Sequence, residues 1–133
     1  MIEKENLNMV EIKPRYLPYR VNLTVWEGDT GDIVLEVGDI IDFTDKNCRM
    51  QVRNEDYDLI FEKSSEGDSP SIFMEPQSDD STLVIIRMLI PDTKGYNSEE
   101  NTFLWELEIY NEDEVNTLMT GRFIIMKETA NYE

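Results

Sequence analysis

Leu83-Val84-Ile85-Ile86-Arg87-Met88-Leu89-Ile90, Phe103-Leu104-Trp105-Glu106-Leu107-Glu108-Ile109 and Gly121-Arg122-Phe123-Ile124-Ile125-Met126 are the stretches that decide the fold. Pro91-Asp92-Thr93 closes the first, and an acidic turn, Asn111-Glu112-Asp113-Glu114, separates the other two. In the middle stretch Phe103, Trp105, Leu107 and Ile109 fall on one face, with Glu106 and Glu108 on the other. Side chains of an extended strand alternate between two faces, so this pattern predicts a half-buried antiparallel strand. Between Glu112 and Met119 the residues fit either one helical turn or a hairpin turn after Tyr110.

Upstream the same grammar repeats. Val21, Leu23 and Val25 alternate with Asn22 and Thr24, and Glu27 to Asp32 supplies a turn rich in Gly and Asp. Ile33, Leu35 and Val37 alternate before Gly38-Asp39. Cys48, Met50 and Val52 then oppose Arg49, Gln51 and Arg53. Leu59 with Phe61, and Ile72 with Met74, make two shorter runs around the loop Ser64 to Pro70. About seven or eight short strands with polar turns indicate an all-β antiparallel sandwich rather than βαβ units. Its expected core holds Cys48, Met50, Val52, Phe103, Trp105, Leu107, Phe123 and Ile125.

Residues 1–20 read as an extended N-terminal arm and residues 21–133 as the sandwich. Pro14 and Pro18 exclude a continuous helix or a central strand from the arm. Its apolar residues Leu7, Val10, Ile12, Tyr16, Leu17 and Tyr19 need burial, either on their own domain or on a neighbouring subunit. Within a chain of 133 residues and net charge −17, residues 1–20 carry four basic against three acidic side chains. The arm is therefore +1 and the remainder −18. So negative a surface repels phosphate backbones, which argues against nucleic-acid binding and favours basic partner surfaces.

Composition removes several chemistries. The chain has no histidine and one cysteine, so Ser-His-Asp and Cys-His catalysis, His-ligated metals and intramolecular disulfides are out. No Walker loop or Gly-x-Gly-x-x-Gly turn occurs. With 29 acidic residues, pairs such as Asp79/Asp80 arise by chance and say little about glycosidase chemistry. Carboxylates at Asp29 to Asp32 are read as solvated turns, with cation binding the minor alternative. Cys48 is read as a core side chain rather than a reactive thiol. Trp26, opposite in face to Leu23 and Val25, suits a partner interface. No apolar run reaches membrane-span length and no secretory h-region opens the chain. A protein made and kept in a cytosol, at least at first, is the expectation, with no membrane, cofactor or small-molecule substrate.

One stretch carries a resemblance. Asp42-Phe43-Thr44-Asp45-Lys46-Asn47-Cys48-Arg49-Met50-Gln51-Val52-Arg53 resembles a turn-and-strand motif common in small bacteriophage virion proteins, ending Arg-Met-Gln-Val-Arg. Asp92-Thr93, Phe103 to Glu108, the acidic turn, Val115, Leu118 to Gly121 and Phe123-Ile124-Ile125 follow in that family's order. Trp105 stands where the family pattern has tyrosine. The similarity spans roughly residues 40 to 128. It implies the immunoglobulin-like β-sandwich of tailed-phage baseplate upper proteins, tail-fibre adaptors and neck or head-fibre components. The implied role is non-enzymatic: a virion part made in the host bacterial cytoplasm, whose partners are other virion proteins and copies of itself. A phage-encoded acidic inhibitor mimicking nucleic acid toward a host defence protein is the alternative reading, and a carbohydrate-binding module a third.

Overall fold

The computed structural model describes residues 18–28, 30–38, 41–77, 81–96 and 100–127. Among them are β1 (Tyr19–Arg20), β2 (Leu23–Trp26), β3 (Gly31–Val37), β4 (Asn47–Arg53), β5 (Leu59–Ser64), β6 (Ile72–Pro76) and β7 (Thr82–Met88). A single helical turn, α1 (Ile90–Thr93), precedes β8 (Glu100–Tyr110) and β9 (Val115–Met126). The larger sheet runs β1-β9-β8-β4-β5, with β2 also on β9, and the smaller runs β3-β7-β6. The fold is the all-β, two-sheet sandwich that the alternation implies. After Tyr110 comes the hairpin turn, not the helical one: Asn111 N–H donates to Glu114 O at 3.0 Å.

The expected antiparallel rule fails at one edge. β1 and β2 both lie parallel to β9, in one register from Tyr19↔Met119 to Trp26↔Met126. That pairing joins residues far apart in the chain, and no local pattern reports its direction. The run breaks at Val21–Asn22 but stays bonded: Val21 N–H donates to Thr120 O at 2.8 Å, and Arg122 N–H to Asn22 Oδ1 at 2.9 Å. Gly121 makes the approach possible, because a Cβ there would sit 1.8 Å from the Val21 carbonyl oxygen. Trp105, facing Gly121 across β8–β9, donates its indole N–H to that same oxygen at 2.8 Å. A buried indole N–H thus finds its partner while its ring fills the space above the glycine.

Cys48, Met50 and Val52 on β4 face Ile109, Leu107 and Trp105 on β8, and all six are buried. Phe123 and Ile125 on β9 are buried beside them. A bulge at Leu107/Glu108 lets Leu118 and Met119, adjacent in sequence, both turn inward. Val37, Ile72, Val84, Ile86 and Met88 close the core from the smaller sheet. Burial pushes the Cys48 thiol up to about 12, which keeps it protonated and inert. Phe103, assigned to the core from its alternation, is instead half-buried at the rim. It lies near the open end of β8, where its ring meets Tyr96 edge-on at 5.2 Å.

One ion pair joins the sheet layers through the connecting turn. Lys63 on β5 is 6% exposed, and its ammonium sits 2.6 Å from Asp92 in α1. The same carboxylate oxygen accepts the Leu89 N–H at 2.7 Å. Among the described residues no helix is long and apolar enough to cross a membrane.

Candidate functional site

The larger sheet places arginine on its outward positions. Pairing of β4, β8 and β9 sets Arg53, Leu104 and Arg122 side by side in one row across three adjacent strands. The next row holds Gln51, Glu106 and Thr120, with Arg20 beside Thr120 at the edge. Arg20, Arg53, Tyr57, Leu104, Glu106 and Arg122 surround a depression of about 340 Å³, floored by Trp105 and Gly121. Among the described residues no carboxylate comes within 4.0 Å of the Arg20, Arg53 or Arg122 guanidinium. Arg49, the fourth arginine of this face, is committed: Glu108 Oε1 lies 2.6 Å from its Nη2, and Tyr110 stacks beneath it at 4.5 Å. The Glu108 hydrogen bond raises the guanidinium's pKa further.

Tyr57 is held for display. Its ring is 63% exposed and its backbone sits at φ 70, a conformation that costs a non-glycine residue energy. Asn54 braces the turn, its side-chain oxygen accepting the Asp56 and Asp58 N–H groups, each at 2.9 Å. Arg53 Nη1 donates to the Tyr57 carbonyl at 3.0 Å, and Nη2 to Gln51 Oε1 at 3.1 Å. Arginine and tyrosine are residue types enriched at protein–protein contacts.

The smaller sheet turns a different face outward. Val34, Ile85 and Phe73 form one row across β3, β7 and β6, and Glu36, Leu83 and Glu75 form the next. Val34 is 53% exposed, and Ile85, Phe73 and Leu83 are half-buried. Arg87 stacks over Phe73 at 5.0 Å and lies 3.9 Å from Asp32, an exposed pair of little energetic weight. An apolar row outside a β-sheet is the kind of surface that marks an interaction site.

The residues singled out from the sequence are placed as follows. Tyr19, grouped with the arm, belongs to β1 at the edge of the larger sheet. Leu7, Val10, Ile12, Tyr16 and Leu17 lie outside the described residues. Trp26 is 46% exposed and lines a cleft of about 270 Å³ with Ile33, Met88 and Thr93. Asp32 lies opposite Arg87, whose guanidinium is 3.9 Å away, while Asp29 is outside the described residues. At the far end Asp45, Glu66, Glu112 and Asp113 line an open polar hollow. No metal-binding group of three or more His, Cys, Asp or Glu occurs among the described residues. Both outer faces escaped the sequence reading. Its one signal was the set Arg49, Gln51 and Arg53 on the polar side of β4 in a strongly acidic chain.

No protein-family model matches the chain, and no curated protein matches it either. Solved structures similar to it include Dpr1 IG1 bound to DIP-eta IG1, at 13% identity over 84% of this chain and 92% of that one, TM-score 0.36. The periplasmic chaperone SfaE follows at 11% identity over 87% of this chain and 57% of that one, TM-score 0.41. PapD-like domain 7 of human CEP192 matches at 13% identity over 87% and 84% of the two chains, TM-score 0.27.

Proposed function

We propose that this chain is a non-enzymatic assembly protein, a structural component of a tailed-phage virion, that joins neighbouring proteins through its outward sheet faces. The observation that carries the binding role is the Arg53–Leu104–Arg122 row with Tyr57 beside it. In a chain of net charge −17, these arginines lack carboxylate partners among the described residues. Guanidinium groups around a leucine and an exposed tyrosine suit a partner segment that combines carboxylates with apolar side chains. The virion assignment is supported by the ordered strand motifs from Asp42 to Ile125. Contacts of this size gain strength through repetition in a ring or shell.

Mass spectrometry of purified particles tests the virion role. The chain should appear in them at a fixed ratio to the other structural proteins. Arg53→Glu/Arg122→Glu should fold normally and be lost from particles. Absence of the unmodified chain from particles, with recovery instead on a host DNA-binding protein, would replace this reading with the acidic-inhibitor one.

A further inference from the structure

We infer that the two outward faces are complementary halves of one contact, so that the smaller sheet of one copy docks on the larger sheet of the next. This rests on the assembly reading and names the partner as a second copy of the same chain. Across three adjacent strands the larger sheet presents arginine–leucine–arginine, as Arg53, Leu104 and Arg122. Across three adjacent strands the smaller sheet presents glutamate–leucine–glutamate, as Glu36, Leu83 and Glu75. Neighbouring strands stand about 4.8 Å apart, so in both rows the flanking charges are roughly 10 Å apart with a leucine between them. Laid face to face with strands aligned, each glutamate meets an arginine and the leucines meet each other.

The next rows extend the match in part. Two residues along, Val34, Ile85 and Phe73 add an apolar row to the smaller sheet. Two residues along β9 from Arg122, Ile124 is outward and half-buried on the larger sheet. Ile124 lies between the exposed Thr24 and Thr102, so with Leu83 over Leu104 the row meets threonine at its centre and isoleucine at one flank. Sandwich sheets pack face to face in the same aligned manner, with about 10 Å between them.

The two faces lie on opposite sides of one sandwich, so the contact is heterologous. Each copy uses its smaller sheet on one neighbour and its larger sheet on another, which generates a stack or a closed ring. A patch three strands wide covers a few hundred Å², below the roughly 800 Å² per partner of a stable pair. Pairwise affinity is accordingly low, and association grows with concentration. The net charge of −17 opposes it at low ionic strength, while about 1 M salt screens the arginine–glutamate pairs. Association is strongest between these limits.

Sedimentation equilibrium of the full chain across a concentration series at about 0.15 M salt tests this. The weight-average mass should rise at least twofold above the monomer. Arg53→Glu/Arg122→Glu alone and Glu36→Arg/Glu75→Arg alone should each stay monomeric. An equimolar mixture of the two, and the fourfold variant carrying all four changes, should associate again, because the swapped charges meet. Circular dichroism and a thermal melt establish that each variant is folded, and the mixture decides if the fourfold variant is not. A wild-type chain that stays monomeric throughout overturns the inference, as does a folded mixture that never recovers. If the wild type is monomeric yet Arg53→Glu/Arg122→Glu still abolishes incorporation into particles, self-docking falls and the assembly reading stands. If incorporation is unaffected as well, both fall.

Discussion

The two sheets bury their inner faces alike and differ in what they turn outward. The larger sheet shows arginines, glutamates and a single leucine along its central rows, while the smaller shows a valine–isoleucine–phenylalanine row beside a glutamate–leucine–glutamate one. The difference begins in the primary structure. β4 and β8 alternate cleanly, which commits one face to the core and the other to polar groups. β7 does not alternate: Leu83, Val84, Ile85 and Ile86 are all apolar, with Val84 and Ile86 inside and Leu83 and Ile85 outside. A strand that is apolar on both faces is what a sheet covered on both faces requires. That run therefore fixes a strand and also leaves two half-buried apolar side chains, Leu83 and Ile85, on the outer face.

The largest effects should come from the anchor beneath the arginine row. Trp105→Ala removes a buried ring and leaves the Val21 carbonyl without its donor, and should lower stability by about 3–5 kcal/mol in denaturant unfolding. Gly121→Ala forces a Cβ into that same carbonyl, so β1 and β2 must peel from β9. Protection of the amides from Val21 to Trp26 against hydrogen exchange should be lost. If both variants retained wild-type stability, the larger sheet would owe nothing to this clip, and its outward row would have no fixed floor.

A smaller effect concerns the tie between the layers. Lys63→Met leaves Asp92 largely buried with one hydrogen bond in place of an ion pair, and should cost about 2–4 kcal/mol. Adding Asp92→Asn should recover part of that loss, a coupling that a double-mutant cycle measures. Additive losses would mean that the two residues act independently.

Cys48 gives a pH signature of the larger sheet's inner face. Its folded pKa stands near 12, against 9.0 for the free group. Above pH 9 the unfolded chain loses this proton while the folded chain keeps it, so stability falls as pH rises. The slope from this one group approaches 1.4 kcal/mol per pH unit at most between about 9 and 12. Cys48→Ala should remove this slope from the pH–stability profile, and native protein should resist thiol reagents at pH 8.

Much of the architecture was legible because it is local. Alternation at Asn47–Arg53 and Phe103–Ile109 marks strands and their inner sides, and Pro91-Asp92-Thr93 and Asn111–Glu114 mark where strands end. What pairs across the molecule was not legible. Nothing near Leu23 states that it lies parallel to Phe123. Phe103 shares the spacing of Trp105, yet its position at the end of β8 leaves it at the rim. The candidate faces were hidden for the same reason: Arg53, Leu104 and Arg122 come from three strands, and only the register makes them a row.

The smallest expected effect separates a binding surface from a folding one. Arg122→Gln and Val34→Thr change one outward residue on each sheet, and neither side chain is needed to fill the core. Each should shift unfolding free energy by no more than about 0.5 kcal/mol, the range of surface substitutions away from special features. If Val34→Thr cost more than about 1 kcal/mol, the apolar row would already be covered within its own chain, and residues 1–17 would be the first segment to probe by deletion. A matching loss at Arg122→Gln would place that guanidinium in the monomer's own stability. Near-zero values at both positions, together with lost association in the charge-swapped variants, would assign these rows to contacts between molecules.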